Sequence, residues 1–473
     1  MTRDSFVTPD RLVRILGSAL LLLLTGALPV WAQTGPTPIS QISGSVAAGP
    51  VTAEVRRLTL RDAIEMAVRY NLGAIESEAA AHAAKGQRVQ ALSALLPQVS
   101  LGASYNKAQV TAASLGFSST PSVPVPAVIG PFHYSSIVAS ANQTIFNLES
   151  IRRFQAAQTA EQAAAFSSDD VLDLITVAVG NGYLLIIDAA SRIEAADAEV
   201  RNAQALFDQA VEALAAGTSP KIDVTRTSVQ LHTDQFNQTV ARNNFAIAKL
   251  NLARVIGLPL GQAYEVVDRL PYADLDLQSV DDALQAAMAS RADFRAADRA
   301  VDTAQYQLGA VHSQRFPTAA VSGDIGRQGV TLGTSRNIFS LQAGVTVPLL
   351  TSGRIGSEAT QAQAALQQRQ AERDNLRGQI EYDVRTALLN LQAAKEQVRV
   401  ARENLELANE NLARSQERFA AGVTDSVEVV QAQQSLSSAN DQYISGTYSH
   451  NLAKLQLARA IGVARANYNQ YLR

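Results

Sequence analysis

The sequence predicts a mainly α-helical protein with a small β part, built as two tandem repeats. Three observations predict it. The chain resembles itself at a nearly fixed offset, each half changes to period-two patterning just after a proline, and each half then continues as helix far beyond any ordinary globular length.

The repeat is the strongest of the three, and self-similarity of this kind is the first thing to seek in a long chain. Leu60-Arg61-Asp62-Ala63-Ile64 recurs in type as Val280-Asp281-Asp282-Ala283-Leu284, and Leu96-Pro97 recurs as Phe316-Pro317, both 220 residues on. Around Lys249 the chain reads AKLNLARVIG and around Lys454 it reads AKLQLARAIG, with Ala216-Gly217 matching Ala421-Gly422, all 205 residues apart. A single length difference between the halves produces that change of offset. It falls at Val110 to His133, where Pro121, Pro124, Pro126, Gly130 and Pro131 predict a long exposed loop, against a short one at Thr331 to Asn337.

In chain order, residues 1–32 read as a secretory signal peptide. Arg11 and Arg14 precede an apolar run from Ile15 to Leu28, and Val30-Trp31-Ala32 predicts cleavage before Gln33. No later stretch reaches the 18 or so uninterrupted apolar residues of a spanning helix. Residues 33–57 are expected to form an extended linker, 58–261 the first repeat, 262–278 a second linker and 279–473 the second repeat.

Each repeat opens with a helix that runs to Pro97 or Pro317. Val99, Leu101, Ala103 and Tyr105 then alternate with Ser100, Gly102 and Ser104, and Val321, Gly323 and Ile325 alternate more weakly. Period two means strand. Partner strands follow, carried by Ile137, Ala139 and Ala141 in one half and by Phe339, Leu341, Ala343, Val345 and Val347 in the other. The expected pairs are 99–109 with 134–146, and 319–330 with 338–349. Their length suits a tilted membrane strand. Four strands cannot close a barrel whose smallest members have about eight, and open edges are not tolerated in lipid. Several chains must therefore pool strands, and two, three or four copies all satisfy that requirement.

Helices follow from about Glu149 to Ala215 and from about Arg354 to Ala420. Some 65 residues at 1.5 Å each span roughly 100 Å. Their apolar positions keep a 3,4 spacing: Ile193, Ala196, Val200, Ala203, Phe207, Ala210 and Leu214 in one, and Val398, Ala401, Leu405, Ala408, Leu412, Ser415 and Phe419 in the other. Val429, Ala432, Leu436, Ala439 and Tyr443 run back up the returning helix. This is coiled-coil patterning, and by itself it fits a closed antiparallel coiled coil as well as the wall of a duct. Glycine after the last helical residue, Gly217 or Gly422, predicts the turns at 215–222 and 420–427 that make two helical hairpins.

Composition narrows the function. There is no cysteine, which excludes thiol chemistry, disulfides and a lipid-anchored cysteine; the formal net charge is −3 with mixed signs, which leaves no basic face for nucleic acid. The five histidines are scattered, with no H-E-x-x-H pair and no G-x-S-x-G elbow. Gly326, Gly329 and Gly333 lack the helix that phosphate binding requires, and relief of crowding explains them better. His232 and His450 are expected as satisfied interface histidines. No enzyme, cofactor or metal site is expected.

Taken in order, the leader, the two halves, the proline-bounded strand pairs and the long helices resemble the TolC family of outer-membrane efflux proteins. So do the R-x-x-x-G-x-x-x-x-x-E-V stretch at Arg418, Gly422, Glu428 and Val429, and Leu350-Thr351-Ser352-Gly353-Arg354-Ile355. The resemblance implies a homotrimer with a 12-stranded transmembrane β-barrel continued by a 12-helix periplasmic α-barrel. It implies an outer-membrane location and a passive gated duct for tripartite efflux or type I secretion, docked by a periplasmic adaptor protein linked to an inner-membrane transporter. The tips at Gly217, Thr218, Gly422, Val423 and Thr424 would face the adaptor. Glu428 and its repeat partner Asp223 fall where the family has entrance acids. Phe419 and Thr424 stand where some members have a tyrosine and an arginine that hold the entrance shut, which leaves Asp425, Lys221 and Arg226 as substitutes. The rival reading is a soluble or peripheral periplasmic coiled-coil scaffold or adaptor.

Overall fold

The computed structural model describes residues 44–116, 126–268, 272–275, 279–331 and 333–472. The signal peptide, the start of the first linker and the middle of the long loop lie outside them. The described elements run β1 (Arg56–Leu58), α1 (Leu60–Tyr70), α2 (Leu72–Ser93), β2 (Gln98–Thr111), β3 (Val128–Phe146), α3 (Leu148–Ala215), α4 (Lys221–Ile256) and β4 (Tyr264–Val266). The second half repeats the plan as α5 (Val280–Ser290), α6 (Ala292–Ser313), β5 (Thr318–Gly329), β6 (Arg336–Thr346), α7 (Arg354–Ala420), α8 (Ser426–Ile461) and a terminal α9 (Ala464–Tyr471).

Each opening helix, expected as one piece, is two. The first pair breaks at Asn71, whose backbone is extended (φ −68°, ψ 134°) and whose Oδ1 accepts the Gly73 N–H at 2.9 Å, capping α2. The second breaks at Arg291, the residue 220 positions on, whose buried guanidinium pairs with Asp293 at 2.6 Å and Asp383 at 3.1 Å. Both linkers also contain short strands, because β1 and β4 pair in parallel and draw the two linkers together. Loop residues 128–133 are strand as well: β3 starts at Val128, and Val110 pairs with Ile129 across a bulge.

The four long strands form one antiparallel sheet in the order β2-β3-β5-β6, so the central ladder, β3 with β5, joins the two repeats. Register puts Leu101 beside Ala139, Ala139 beside Ile325, and Ile325 beside Phe339. One face is therefore apolar across all four strands, and it is open: Leu101, Ile325 and Phe339 are 75%, 68% and 85% exposed. The opposite face carries Ser104 bonded to Ser136 at 2.9 Å and Ser340 donating to Asp324 at 2.8 Å. Gly326 is required at the central ladder, since a Cβ there would lie 2.2 Å from the Ile137 carbonyl oxygen. Gly329 is crowded by the Ser335 backbone in the same way, whereas Gly333 has open space.

Next to the sheet, α3 packs between α2 and α6, and α6 packs on α7; toward the hairpin turns α4, α3, α8 and α7 pack in turn. Two cores sit where these arrangements change over. Leu60, Ala63, Ile64 and Ala67 of α1 close on Ile175, Val179 and Tyr183 of α3 and on Leu252 and Ile256 of α4. In the second half Ala283 and Ala287 of α5 close on Ile380, Val384 and Leu391 of α7 and on Leu457 and Ile461 of α8. Each large aliphatic side chain buried there contributes about 1.5–3 kcal/mol. By length and composition α3 is apolar enough to cross a membrane, but these buried residues of α3 are spent on the first core.

Beyond the cores the heptads hold the hairpins together. On α7 Val398, Ala401, Ala408, Leu412 and Ser415 are buried, and on α8 Val429, Ala432, Leu436 and Ala439. On α3 the buried seam is Ala196, Ala203, Leu206 and Ala210; Phe207 is only half-buried and Leu214 is exposed, so the seam shifts by one residue from the expected Phe207 to Leu206.

Candidate functional site

The two hairpin turns have the same construction. After α3, Gly217 takes φ +72°, its N–H bonds to the Leu214 carbonyl at 3.0 Å, and Thr218 N–H reaches back to the Ala213 carbonyl at 2.9 Å. After α7, Gly422 takes φ +69°, with Gly422 N–H on Phe419 O at 2.9 Å and Val423 N–H on Arg418 O at 3.0 Å. Those paired bonds satisfy the last carbonyls of each helix and need a residue free to take positive φ.

Each returning helix then starts with a hydroxyl-to-carboxylate link across one turn. Ser219 Oγ donates to Asp223 Oδ2 at 2.7 Å, and at the equivalent positions 205 residues on Thr424 Oγ1 donates to Glu428 Oε2 at 2.5 Å. The two acids then diverge. Asp223 is buried; its Oδ1 accepts from Ser426 Oγ at 2.6 Å and from Arg226 at 3.0 Å, and Arg226 also donates to Ser426 Oγ at 3.0 Å. This three-residue knot ties α4 to α8, and so the first hairpin to the second. Glu428 is half-buried and stays within its own hairpin, accepting from Ser415 Oγ at 3.4 Å and lying 3.5 Å from Arg418.

Of the proposed substitute groups, the knot uses Arg226. Asp425 caps α8 by accepting the Val427 N–H at 3.0 Å. Lys221 is exposed at the start of α4 and, among the described residues, makes no ion pair. Phe419 is half-buried against the α7–α8 core, and Val423 is exposed at the very turn. Ser426 was missed by sequence reasoning: it occupies the repeat position of Lys221, so the repeat gave no hint of it. Ser219 and Thr424 were legible, as hydroxyl residues four positions before each acid.

The histidines correct one expectation. His450 is fully buried between helices, but among the described residues neither ring nitrogen has a hydrogen-bond partner; the ring instead packs on Tyr272 with centroids 4.7 Å apart. His232 is exposed on α4, off the seam.

A sheet with an exposed apolar face and two unpaired edges, continued by helices of 68 and 67 residues, defines a barrel-forming membrane protein with a helical stalk. The chain belongs to the outer membrane efflux protein family, whose model matches residues 75–258 and 283–463, one block in each repeat. A comparison with curated protein sequences finds no match. Among solved structures the chain is similar to the outer-membrane protein VceC of Vibrio cholerae, at 20% identity over 85% of this chain and 96% of that one, with a TM-score of 0.72. It is similar also to the CmeC outer-membrane channel of Campylobacter jejuni (15% identity, 87% and 88% covered, TM-score 0.73) and to the open state of the MtrE outer-membrane channel of Neisseria gonorrhoeae (17%, 90% and 96%, 0.71). It is an outer-membrane efflux channel protein, and the scaffold reading falls.

Proposed function

We propose that three copies of the chain close into a 12-stranded barrel in the outer membrane and a helical tunnel in the periplasm, and that the hairpin tips form the gated entrance. The observation that carries this reading is the four-stranded sheet itself. Its apolar face needs lipid, and its edge strands β2 and β6 need partners that only further copies supply. Support comes also from the helical edges. Ile222, Val229 and Phe236 on α4, spaced by seven and 57%, 62% and 67% exposed, form an unpartnered heptad row. On α7, Tyr382 and Leu389, and eleven residues further on Val400 and Leu407, are exposed as two heptad pairs.

On this reading Glu428, Asp223, Asp425, Lys221 and Arg226 ring the entrance, and Gly217, Thr218, Gly422, Val423 and Thr424 meet a periplasmic adaptor protein that connects to an inner-membrane transporter. The duct is passive and has no chemistry of its own, and energy comes from the transporter. The Asp223–Arg226–Ser426 knot holds the two hairpins of one chain in register, so opening moves them together or breaks that knot.

Negative-stain electron microscopy and mass measurement of the mature protein in detergent test the assembly. A trimeric cylinder with a stalk on the order of 100 Å is expected from the helix rise. A monomer that stays soluble without detergent would sink the barrel.

A further inference from the structure

The stretches of chain that form the sheet carry a single acid. From Gln98 to Phe146 and from Thr318 to Leu350 the charged residues are Lys107, Arg327, Arg336 and Asp324. Register places Asp324 on the polar face: Ser100 pairs with Ser140, Ser140 with Asp324 and Asp324 with Ser340, so one row crosses all four strands. Lys107 and Arg327 fall on the opposite face, with Leu101 and Ile325. Arg336 shares the polar face but pairs with Gln328, four residues farther along β5, about 13 Å at the strand rise.

Hydroxyls hold this carboxylate against the wall: Ser340 Oγ donates to its Oδ2 at 2.8 Å, and Ser140 bonds to it from the other side. Among the described residues it has no ion-pair partner. The ladder does not need the charge. On the same face Ser104 and Ser136 join β2 to β3 with two hydroxyls 2.9 Å apart, and aspartate is in general depleted from strands. Ser104 is also the residue 220 positions before Asp324, so the first repeat fills the matching place without charge. A carboxylate fixed on the polar face and left without a counter-ion acts on what passes that face.

We propose that Asp324 selects solutes by charge inside the barrel, favouring cationic ones and holding back anionic ones. In the three-copy barrel proposed above, on which this inference rests, the apolar face meets lipid and the polar face lines the lumen. One acid per chain then makes a ring of three carboxylates at one depth, and a ring of one sign raises the local concentration of the opposite sign. A potential of only about one kT changes the cation-to-anion ratio about sevenfold. At ~0.1 M salt the Debye length is about 10 Å, shorter than the ~13 Å to Arg336, so the outer cation does not cancel the ring. Glu428 does not contribute either, because the 67 residues of α7, about 100 Å of helix, separate the tips from the sheet.

The chain has no cysteine, so Gln342→Cys adds a single thiol on the polar face of β6, opposite Ser322 and one side chain along from the ring. The detergent-solubilised mature protein with this change is reacted at ~0.1 M NaCl with a cationic and with an anionic methanethiosulfonate reagent, and the ratio of the two rates is read. Changes in the reactivity of the thiol itself divide out of that ratio. Adding Asp324→Asn should lower it roughly sevenfold, while Asp324→Glu should leave it near the parent value. Raising NaCl to ~1 M, where the Debye length is about 3 Å, should remove the difference between parent and Asp324→Asn. Should Asp324→Asn fail to assemble, Asp324→Ser, which installs the residue of the first repeat, is read in its place. Heat-modified migration of the same samples reports assembly. No trimer in the Gln342→Cys protein overturns the three-copy reading and the ring with it, whereas an assembled trimer whose ratio ignores the loss of Asp324 overturns this inference alone. A ratio that falls with Glu428→Gln and not with Asp324→Asn assigns the selection to the tips and overturns it equally.

Discussion

His450 shows what a single residue in this wall can do to stability. Burial, reinforced by the positive charge of the nearby Lys454, holds its imidazole down to about 4, while Asp274 opposes weakly. Lys454 is itself buried, donates to the Ala273 carbonyl at 3.2 Å and is lowered to about 8. Lys395 with its partner Asp274, and Tyr272 packed at a tilt against the imidazole, complete the surroundings. The unfolded chain protonates His450 near 6.5, and the folded one resists until about 4. Between those values the unfolded state binds more protons, so stability falls as pH falls from about 6.5 toward 4. His450→Phe should keep the Tyr272 contact and flatten that part of a plot of Tm against pH. An unchanged slope would show that other groups carry the acid sensitivity. Lys454, at the repeat position of Lys249, was visible in the sequence as part of a matched motif. Its burial was not, because that depends on the segment 272–275 lying across α8.

Among the elements, the β3–β5 ladder is the most demanding. Gly326→Ala puts a methyl group 2.2 Å from a backbone oxygen that cannot step aside without breaking the ladder. It should sharply reduce the fraction of protein that reaches the assembled barrel, scored by heat-modified migration on gels. Gly333→Ala, in open space, should behave as the parent; equal yields from the two variants would falsify the crowding argument. Elements of this kind were largely legible in the sequence. The long helices start and stop within a residue of the expected positions, since heptads and a terminal glycine mark them strongly. What escaped was set by contacts distant in sequence. The breaks at Asn71 and Arg291 follow from a cap and an ion-pair cluster, and the β1–β4 pairing joins segments some 200 residues apart. At the tips the acids could be found by their repeat spacing, but the side chain that Asp223 chose across the hairpins, Ser426, could not.

At the scale of the whole molecule the exposed apolar rows on α4 and α7 become decisive. The row Ile222, Val229 and Phe236, left open to water, needs a neighbour, and each such side chain contributes about 1.5–3 kcal/mol on burial. Phe236→Glu should therefore raise the proportion of monomer in detergent on size-exclusion chromatography, while Glu194→Gln, on a different helix and away from the row, should not. If Phe236→Glu assembles as well as the parent, α4 is not an edge between copies.

The strand order β2-β3-β5-β6 carries a consequence for ancestry. The seam between β3 and β5 inside one chain is the same kind of seam that β6 of one copy must make with β2 of the next. A chain of half this length, with one strand pair and one helical hairpin, would already contain every type of join the wall needs, and on the proposed three-copy assembly six of them would close the same circle. The two halves differ in detail: the connection between Thr111 and Val128 is long and that between Gly329 and Arg336 short, and one acid is knotted across hairpins where its sibling is not. On the proposed three-copy assembly, the ring carries two alternating kinds of mouth and two alternating kinds of tip.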